Sequence, residues 1–338
     1  MITAMSSVRT GIVGLGYWGP NVLRNFAAQE ECSFAWACDL SEANLSKTRA
    51  HYPSIKTTSR YEDLLEDASL ELILIATPTS SHFPLAKAAL EAGKHVFVEK
   101  PMTSNLAQAD ELLAIAAKAG KKIFVDHTFV YAPAVQKLKD LADSGALGDL
   151  LYFDSQRINL GLIQKDTNVL YDLAIHDLSI LGTFMDLREI TKVTAHGSKH
   201  FGQQEEHVHL HMETTGDFHS HIQVSWLSPV KIRQTVLAGT KAMVIYDDTH
   251  PSEKIRIYDR GIERDETRAD PFFPKYRSGD IIIPSVPLIE ALGIEAKHVL
   301  NCVLGKEQAR VPGEKGRDIL RILEAANTSL KTRGTVSI

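Results

Sequence analysis

The chain has 338 residues, enough for two domains with separate cores, and 44% of them are hydrophobic against 23% charged. Its 37 basic and 42 acidic residues leave a net charge of −5, so the composition carries no footprint for nucleic acid or for an anionic membrane. No run approaches the roughly 20 apolar residues of a membrane span and residues 1–10 lack the apolar core of a signal peptide, so the chain reads as cytoplasmic; Cys32, Cys38 and Cys302, an odd number without metal-ligand spacing, read as reduced packing residues.

In chain order, a short apolar strand over residues 8–13 runs into G-L-G-Y-W-G, Gly14, Leu15, Gly16, Tyr17, Trp18 and Gly19, and a helix opens at Pro20, where the missing N–H costs nothing. Gly14 suits the tight bend, Gly16 lets backbone approach a pyrophosphate, and Gly19 allows close helix–strand packing. Phosphates would then meet exposed N–H groups at the positive end of the helix dipole. A second strand, 34–38, ends in Asp39, 20 residues beyond Gly19, where a carboxylate accepts hydrogen bonds from ribose hydroxyls. Leu40, Ser41 and Glu42 bring no cation for a 2′-phosphate, which favours NAD over NADP; the plainer reading of Asp39 is that it starts the turn to Ser41. Further strands are predicted over 72–76, 95–98 and 122–125, with helices over 20–29, 41–51, 61–67, 83–92 and 105–119. Ser59 with Glu62 reads as a capping box, and Gly93 and Gly120 stop the last two helices. The alternation predicts a parallel sheet covered on both faces, a dinucleotide-binding domain over residues 1–126.

Residues 127–338 have another character. A helix over 134–144 precedes strands predicted at 150–158, 190–196, 207–213, 218–226, 232–237, 241–246 and 254–258, mostly joined by short turns, hence a second domain on a large, mostly antiparallel sheet. A helix over 169–185 interrupts it, helices over 288–304 and 317–330 follow, the last residues form a short strand, and the Pro-rich stretch 271–287 reads as an irregular loop.

Three constellations could carry chemistry. In an open parallel sheet the carboxyl ends of the central strands line the ligand crevice, so A-T-P-T-S-S-H, from Ala76 through Thr77 and Pro78 to His82, and V-E-K-P, with Glu99 and Lys100, should face the nicotinamide end of a cofactor. The Lys100 ammonium would stabilise an oxyanion there; alternatively Glu99 and Lys100 are solvated strand ends. Asp172 and His176 are four apart and share a helical face, suiting a histidine base oriented by a carboxylate or an ordinary surface pair. Asp177 points away from them. His207, His209, His211, His219 and His221 alternate along two strands, and a turn centred on Thr215 would set His211 opposite His219 and His209 opposite His221. Zinc or a polar face open to subunit contact would both suit this ladder; hydride transfer needs no metal, and none is expected.

Four motifs in order, the glycine turn, A-T-P-T-S-S-H, V-E-K-P and D-L-A-I-H-D, resemble the glucose-fructose oxidoreductase and inositol dehydrogenase (Gfo/Idh/MocA) family over essentially the whole chain. The resemblance implies a Rossmann domain followed by an α/β domain whose open sheet supports homodimers or homotetramers. It also implies Lys100 at the reacting carbon, His176 as the proton-transferring residue with Asp172 a turn before it, and a cis Lys100–Pro101 bond. The stretches at Gly16, Asp126 and Arg157 are similar to family members acting on nucleotide sugars, such as UDP-N-acetylglucosamine and UDP-N-acetylglucosaminuronate 3-dehydrogenases, although Ile175 stands where proline and Tyr171 where tryptophan are frequent. Arg157 and Asn159 share a strand face and, with Tyr131, are the candidate substrate contacts. The expectation is an NAD-dependent dehydrogenase acting at C3 of a UDP-linked amino sugar. The alternatives are a ketosugar reductase, an inositol or free-polyol dehydrogenase, and a non-catalytic NAD-sensing regulator.

Overall fold

The computed structural model describes residues 7–164, 167–263 and 275–338, which divide into two compact units. Unit 1 comprises Met1–Tyr131 and Ile289–Leu320, and unit 2 comprises Ala132–Leu288 and Arg321–Ile338. The single boundary expected at residue 126 is therefore replaced by a chain that leaves the first unit after Tyr131 and returns to it.

In unit 1 the strands are β1 (Val8–Val13), β2 (Cys32–Cys38), β3 (Lys56–Thr58), β4 (Leu72–Ile75), β5 (His95–Val98) and β6 (Ile123–Val125). They pair in parallel in the order β3-β2-β1-β4-β5-β6. Between them lie α1 (Gly19–Ala27), α2 (Glu42–His51), α3 (Glu62–Glu66), α4 (Thr79–Glu91) and α5 (Leu106–Ala119). Strand β4, buried throughout as L-I-L-I, illustrates why such strands read as continuous apolar runs. The strand order reverses between β1 and β4, and a ligand crevice opens at such a point. Strand β3 went unread because K-T-T has no apolar run. The Ser59 box is also corrected: α3 has no side-chain cap, and Thr58 instead turns the chain by accepting the Arg60 N–H at 3.0 Å and donating to Asp63 at 2.5 Å.

Unit 2 begins with α6 (Pro133–Asp143) and carries β7 (Leu150–Leu160), α7 (Ile175–Leu181), β8 (Ile190–Ser198), β9 (His207–Thr214), β10 (His219–Ser225), β11 (Leu227–Gly239), β12 (Met243–Asp247), β13 (Ile255–Glu263) and β14 (Lys275–Ile282). Later in the chain come α8 (Ala291–Val303), which belongs to unit 1, then α9 (Gly313–Thr332) and β15 (Val336–Ser337). Among the described residues the sheet has nine strands in the order β14-β13-β12-β11-β7-β10-β9-β8-β15, antiparallel except where β10 runs parallel to β7. Strand β14 corrects the loop expected over 271–287: R-S-G-D hides its periodicity, yet it pairs with β13. Residues 271–274 of that stretch lie outside the described residues.

Helix α8 shows why the chain returns. Ala296, Val299 and Leu300 lie on one apolar stripe and join the cluster of Val22, Leu23 and Phe26 from α1 and Phe97 from β5. Phe26 and Phe97 meet edge to face with centroids 5.2 Å apart. Arg24 and Glu290 add a bidentate but half-exposed pair, which contributes little beside the buried stripe.

Candidate active site

At the carboxyl ends of β1, β4 and β5 lies a cleft of about 790 Å³, lined by Gly14, Gly16, Tyr17 and Trp18 from the glycine turn, Asp39 from the end of β2, Thr77 and Pro78 after β4, and Glu99 and Lys100 after β5. The three glycines differ in what a side chain would meet. Gly14 has φ +94°, and a Cβ there would stand 2.5 Å from the Ala76 carbonyl; one on Gly19 would stand 2.0 Å from the Gly14 carbonyl. Nothing lies within 4 Å of a Cβ on Gly16, so that position is left open to a ligand. Leu15 is buried and turns its N–H to Asp39 Oδ2 at 2.6 Å. Asp39 also accepts from the Ser41 N–H at 2.7 Å and the Asn44 amide at 3.3 Å, so it both starts the turn to Ser41 and faces the cleft. Open backbone above Gly16, an α1 N-terminus with Pro20 in its first turn, and a carboxylate 20 residues on form a cradle that fits a dinucleotide.

The Lys100–Pro101 bond is cis. His82, expected on the cofactor, is instead completely buried behind the wall: Nδ1 is 2.8 Å from the Pro101 carbonyl and Nε2 is 2.8 Å from the Thr77 carbonyl, so the ring ties the two strand-end loops together. Burial lowers its pKa, with the two carbonyls opposing. Tyr131 is likewise corrected from substrate contact to core. It is 2% exposed, its ring lies 5.5 Å from that of His298, the Arg310 guanidinium stands 5.7 Å over it, and Val130 and Val311 pack beside it.

Reading the sequence missed the residues beneath this wall. Asp126, just past β6, accepts from the Trp18 indole N–H at 3.3 Å and from the Thr128 hydroxyl, and Glu295 on α8 is fully buried near it. A carboxylate among the apolar positions of α8 was the available signal. Farther along, Cys302, His298 and Glu307 superficially suggest a nucleophile–base pair, with Sγ 3.4 Å from Nε2 and Nδ1 2.5 Å from the carboxylate. However, Nε2 already accepts the Arg310 N–H at 3.1 Å, and burial pushes the thiol up to about 11, so the group is a structural clasp.

In unit 2, the helix expected over 169–185 divides: Leu170–Ala174 is a π-helical turn and α7 follows. Single π turns interrupt α-helices frequently at functional sites. Asp172 lies in that turn and His176 in the first turn of α7, both half-buried. The indole N–H of Trp226, itself 1% exposed, donates to Asp172 Oδ2 at 2.9 Å. A buried indole needs an acceptor, so Trp226 at a strand end was a readable hint. Asp177 does turn elsewhere, to Arg157, with Nε–Oδ2 at 2.7 Å and Nη2–Oδ1 at 3.1 Å, and Ser155 adds a 2.7 Å bond. The two ionic side chains are 3% and 1% exposed. Burial opposes the Arg157 charge, but Asp177 outweighs it and the pKa is raised. Arg157 is thereby corrected from substrate contact to buried partner of α7, because alternation along β7 turns Phe153, Ser155 and Arg157 inward; Asn159, half-buried, is on that face too.

The histidine ladder alternates as read, with Val208, Leu210 and Met212 buried behind it, but the turn centres on Gly216 instead of Thr215. In register His211 pairs with His221 and His219 with Glu213, yet the rings stack diagonally, His211 on His219 at 5.6 Å and His209 on His221 at 5.4 Å. Among the described residues no group of three or more His, Cys, Asp or Glu is arranged to hold a metal ion, and no helix is long and apolar enough to cross a membrane.

Comparison with known proteins agrees with this geometry. Residues 8–127 match the oxidoreductase family with NAD-binding Rossmann fold, and residues 135–245 match the GFO/IDH/MocA C-terminal domain. The chain is 37% identical over 153 residues to the uncharacterized oxidoreductase YdgJ of Escherichia coli, covering 44% of this chain and 42% of that one. It is 26% identical over 196 residues to myo-inositol 2-dehydrogenase of Thermotoga maritima, covering 56% and 58%. The matched region thus spans about half the length of these curated relatives. Similar folds include GenD2 from gentamicin A biosynthesis in complex with NAD, with TM-score 0.82, 21% identity and 99% and 98% of the two chains covered. UDP-N-acetylglucosamine 3-dehydrogenase of Acidithiobacillus ferrooxidans is another, with TM-score 0.80, 22% identity and 97% and 99% covered. With both family regions matched in order, and the glycine turn, E-K-P and Asp–His motifs in place, the chain belongs to the Gfo/Idh/MocA family of oxidoreductases, with an NAD-binding Rossmann fold in its first unit.

Proposed function

We propose that this protein is an NAD-dependent dehydrogenase that oxidises a secondary alcohol of a sugar, at C3 of a UDP-linked amino sugar or its uronate. The observation that carries the reading is Lys100, set on the wall of the dinucleotide cleft by the β5 end and the cis Lys100–Pro101 turn. Bound NAD supplies the hydride acceptor. Gly14, Gly16 and the start of α1 hold its pyrophosphate, and Asp39 its ribose. Lys100 donates a hydrogen bond to the alcohol oxygen and stabilises the charge that grows there as the carbonyl forms. His176 takes the hydroxyl proton on a ring nitrogen, Asp172 polarises the imidazole, and Trp226 fixes the carboxylate. Asn159 is the remaining candidate for a sugar hydroxyl or N-acetyl group.

The inositol 2-dehydrogenases among the relatives favour a second reading, a free polyol substrate, and the same residues run in reverse serve a ketosugar reductase. The discriminating assay follows reduced cofactor with NAD and a panel of UDP-sugars, their uronates and free polyols. Turnover of UDP-sugars alone supports the first reading, of polyols alone the second. NAD binding with turnover of no member of the panel in either direction would favour a regulatory NAD sensor. We further propose that the open face of the unit 2 sheet pairs copies into dimers or tetramers, since Tyr152 and Leu160 are exposed there at 40% and 79%. Light scattering on the eluted protein tests that assembly.

A further inference from the structure

Three elements of unit 1 bring carboxyl groups together at the wall of the cofactor cleft. Glu99 follows β5, Asp126 follows β6, and Glu295 comes from the second turn of α8. Asp126 is supplied with donors, the Trp18 indole at 3.3 Å and the Thr128 hydroxyl. Oε1 of Glu99 and both oxygens of Glu295 are buried and make no hydrogen bond among the described residues. The protein donors beside Glu295, the His127 N–H and the Thr128 hydroxyl, bond the Val125 carbonyl and Asp126. The group within hydrogen-bonding reach of both glutamates is the Asp126 carboxyl.

A buried carboxylate short of donors is heavily penalised, whereas a proton placed on each glutamate converts both contacts with Asp126 into charge-assisted O–H···O⁻ bonds. We infer that Glu295 is a positioning residue for the cofactor cleft: Glu295 and Glu99 each carry a proton and donate it to Asp126, fastening the ends of β5 and β6 to α8. The trio then holds one negative charge instead of three. Burial, reinforced by the Asp126 charge, pushes both glutamates well above the usual carboxylate range. The other groups facing them are Lys100, His127, Tyr131 and Lys315. Burial holds His127 down to about 4 despite Asp126, and among the described residues neither of its ring nitrogens has a hydrogen-bond partner, so it adds no cation. Burial likewise keeps the Tyr131 phenol neutral.

The protonation is independent of which alcohol is oxidised, only its bearing on the cofactor cleft rests on the proposed activity, and the test needs no turnover. Infrared spectra of the ligand-free protein in D₂O at pH 8 should show protonated-carboxyl absorption that E295Q diminishes and E99Q/E295Q removes. The pH dependence has a defined sign. Both folded pKa values are raised, so the folded state retains protons that the unfolded chain releases above about 4.3, and stability falls as pH rises beyond that point toward the folded values. E295Q carries its own N–H donor for Asp126 and should lessen the fall in Tm between pH 5 and pH 9. NADH affinity, read by fluorescence titration, should follow the order wild type and E295Q above E295L. Absence of a protonated-carboxyl band at pH 8, or a band and Tm slope unchanged in E295Q, would overturn the inference.

Discussion

The Arg157–Asp177 pair gives the sharpest quantitative prediction because the chain's own sequence invites the opposite role for Arg157. An arginine that contacts substrate can be replaced with loss of substrate affinity and little change in folding. An arginine 3% exposed and doubly bonded to a carboxylate 1% exposed cannot, because removing either partner strands a charge inside unit 2. Breaking a buried pair in this way costs about 3–5 kcal/mol, whereas replacing both partners by apolar residues of similar volume is often neutral or stabilising. At about 2–4 °C per kcal/mol for a unit of this size, D177A or R157M should lower Tm by roughly 6–20 °C. The double variant R157M/D177L should recover most of that loss, although Ser155 loses its 2.7 Å acceptor wherever Asp177 is replaced. Scanning calorimetry of the four proteins at one pH is the assay, with substrate KM measured below the transition. A raised KM for R157M with its Tm unchanged would refute the reasoning and restore Arg157 to the substrate.

The remaining predictions concern the cleft and the reacting groups. Gly14→Ala should destabilise unit 1 and abolish NAD binding, because φ is +94° and the new Cβ meets a carbonyl at 2.5 Å; Gly16→Ala, with nothing within 4 Å, should fold normally and bind NAD more weakly, as melting and calorimetric titration will tell. Lys100→Ala and His176→Ala should each leave NAD binding largely intact and lower kcat by about 10²–10⁴; undiminished turnover in both would remove the proposed mechanism. Asp39→Ala should weaken NAD binding and narrow its preference over NADP, seen in paired titrations with the two cofactors. Dialysis against a chelator should leave turnover unchanged, and a stoichiometric metal found in the purified protein would contradict that.

Local signals in the sequence reached far into unit 1. The turn of G-L-G-Y-W-G, the apolar runs of the central strands and the helix stops at Gly93 and Gly120 are properties of neighbouring residues, and φ of +73° and +64° at those two stops follows from glycine's freedom alone. The inward alternation behind the histidine ladder was legible for the same reason. What a residue touches across the chain was not. His82, Tyr131 and Arg157 carry side chains that suit a ligand equally well, and only packing showed them bound to backbone carbonyls, to the His298 and Arg310 side chains, and to Asp177.

The sequence by itself determined the family, the dinucleotide turn and the strand-end motifs, because each rests on a run of adjacent residues whose backbone needs and periodicity are local. Tertiary structure alone decided that α8 returns to the first unit, and that Glu295 arrives beside Glu99 and Asp126. It alone decided, too, that Trp226 anchors Asp172. Such pairings join residues tens to hundreds of positions apart, and they are set by which apolar stripe finds which core, a question that no short stretch of sequence can answer.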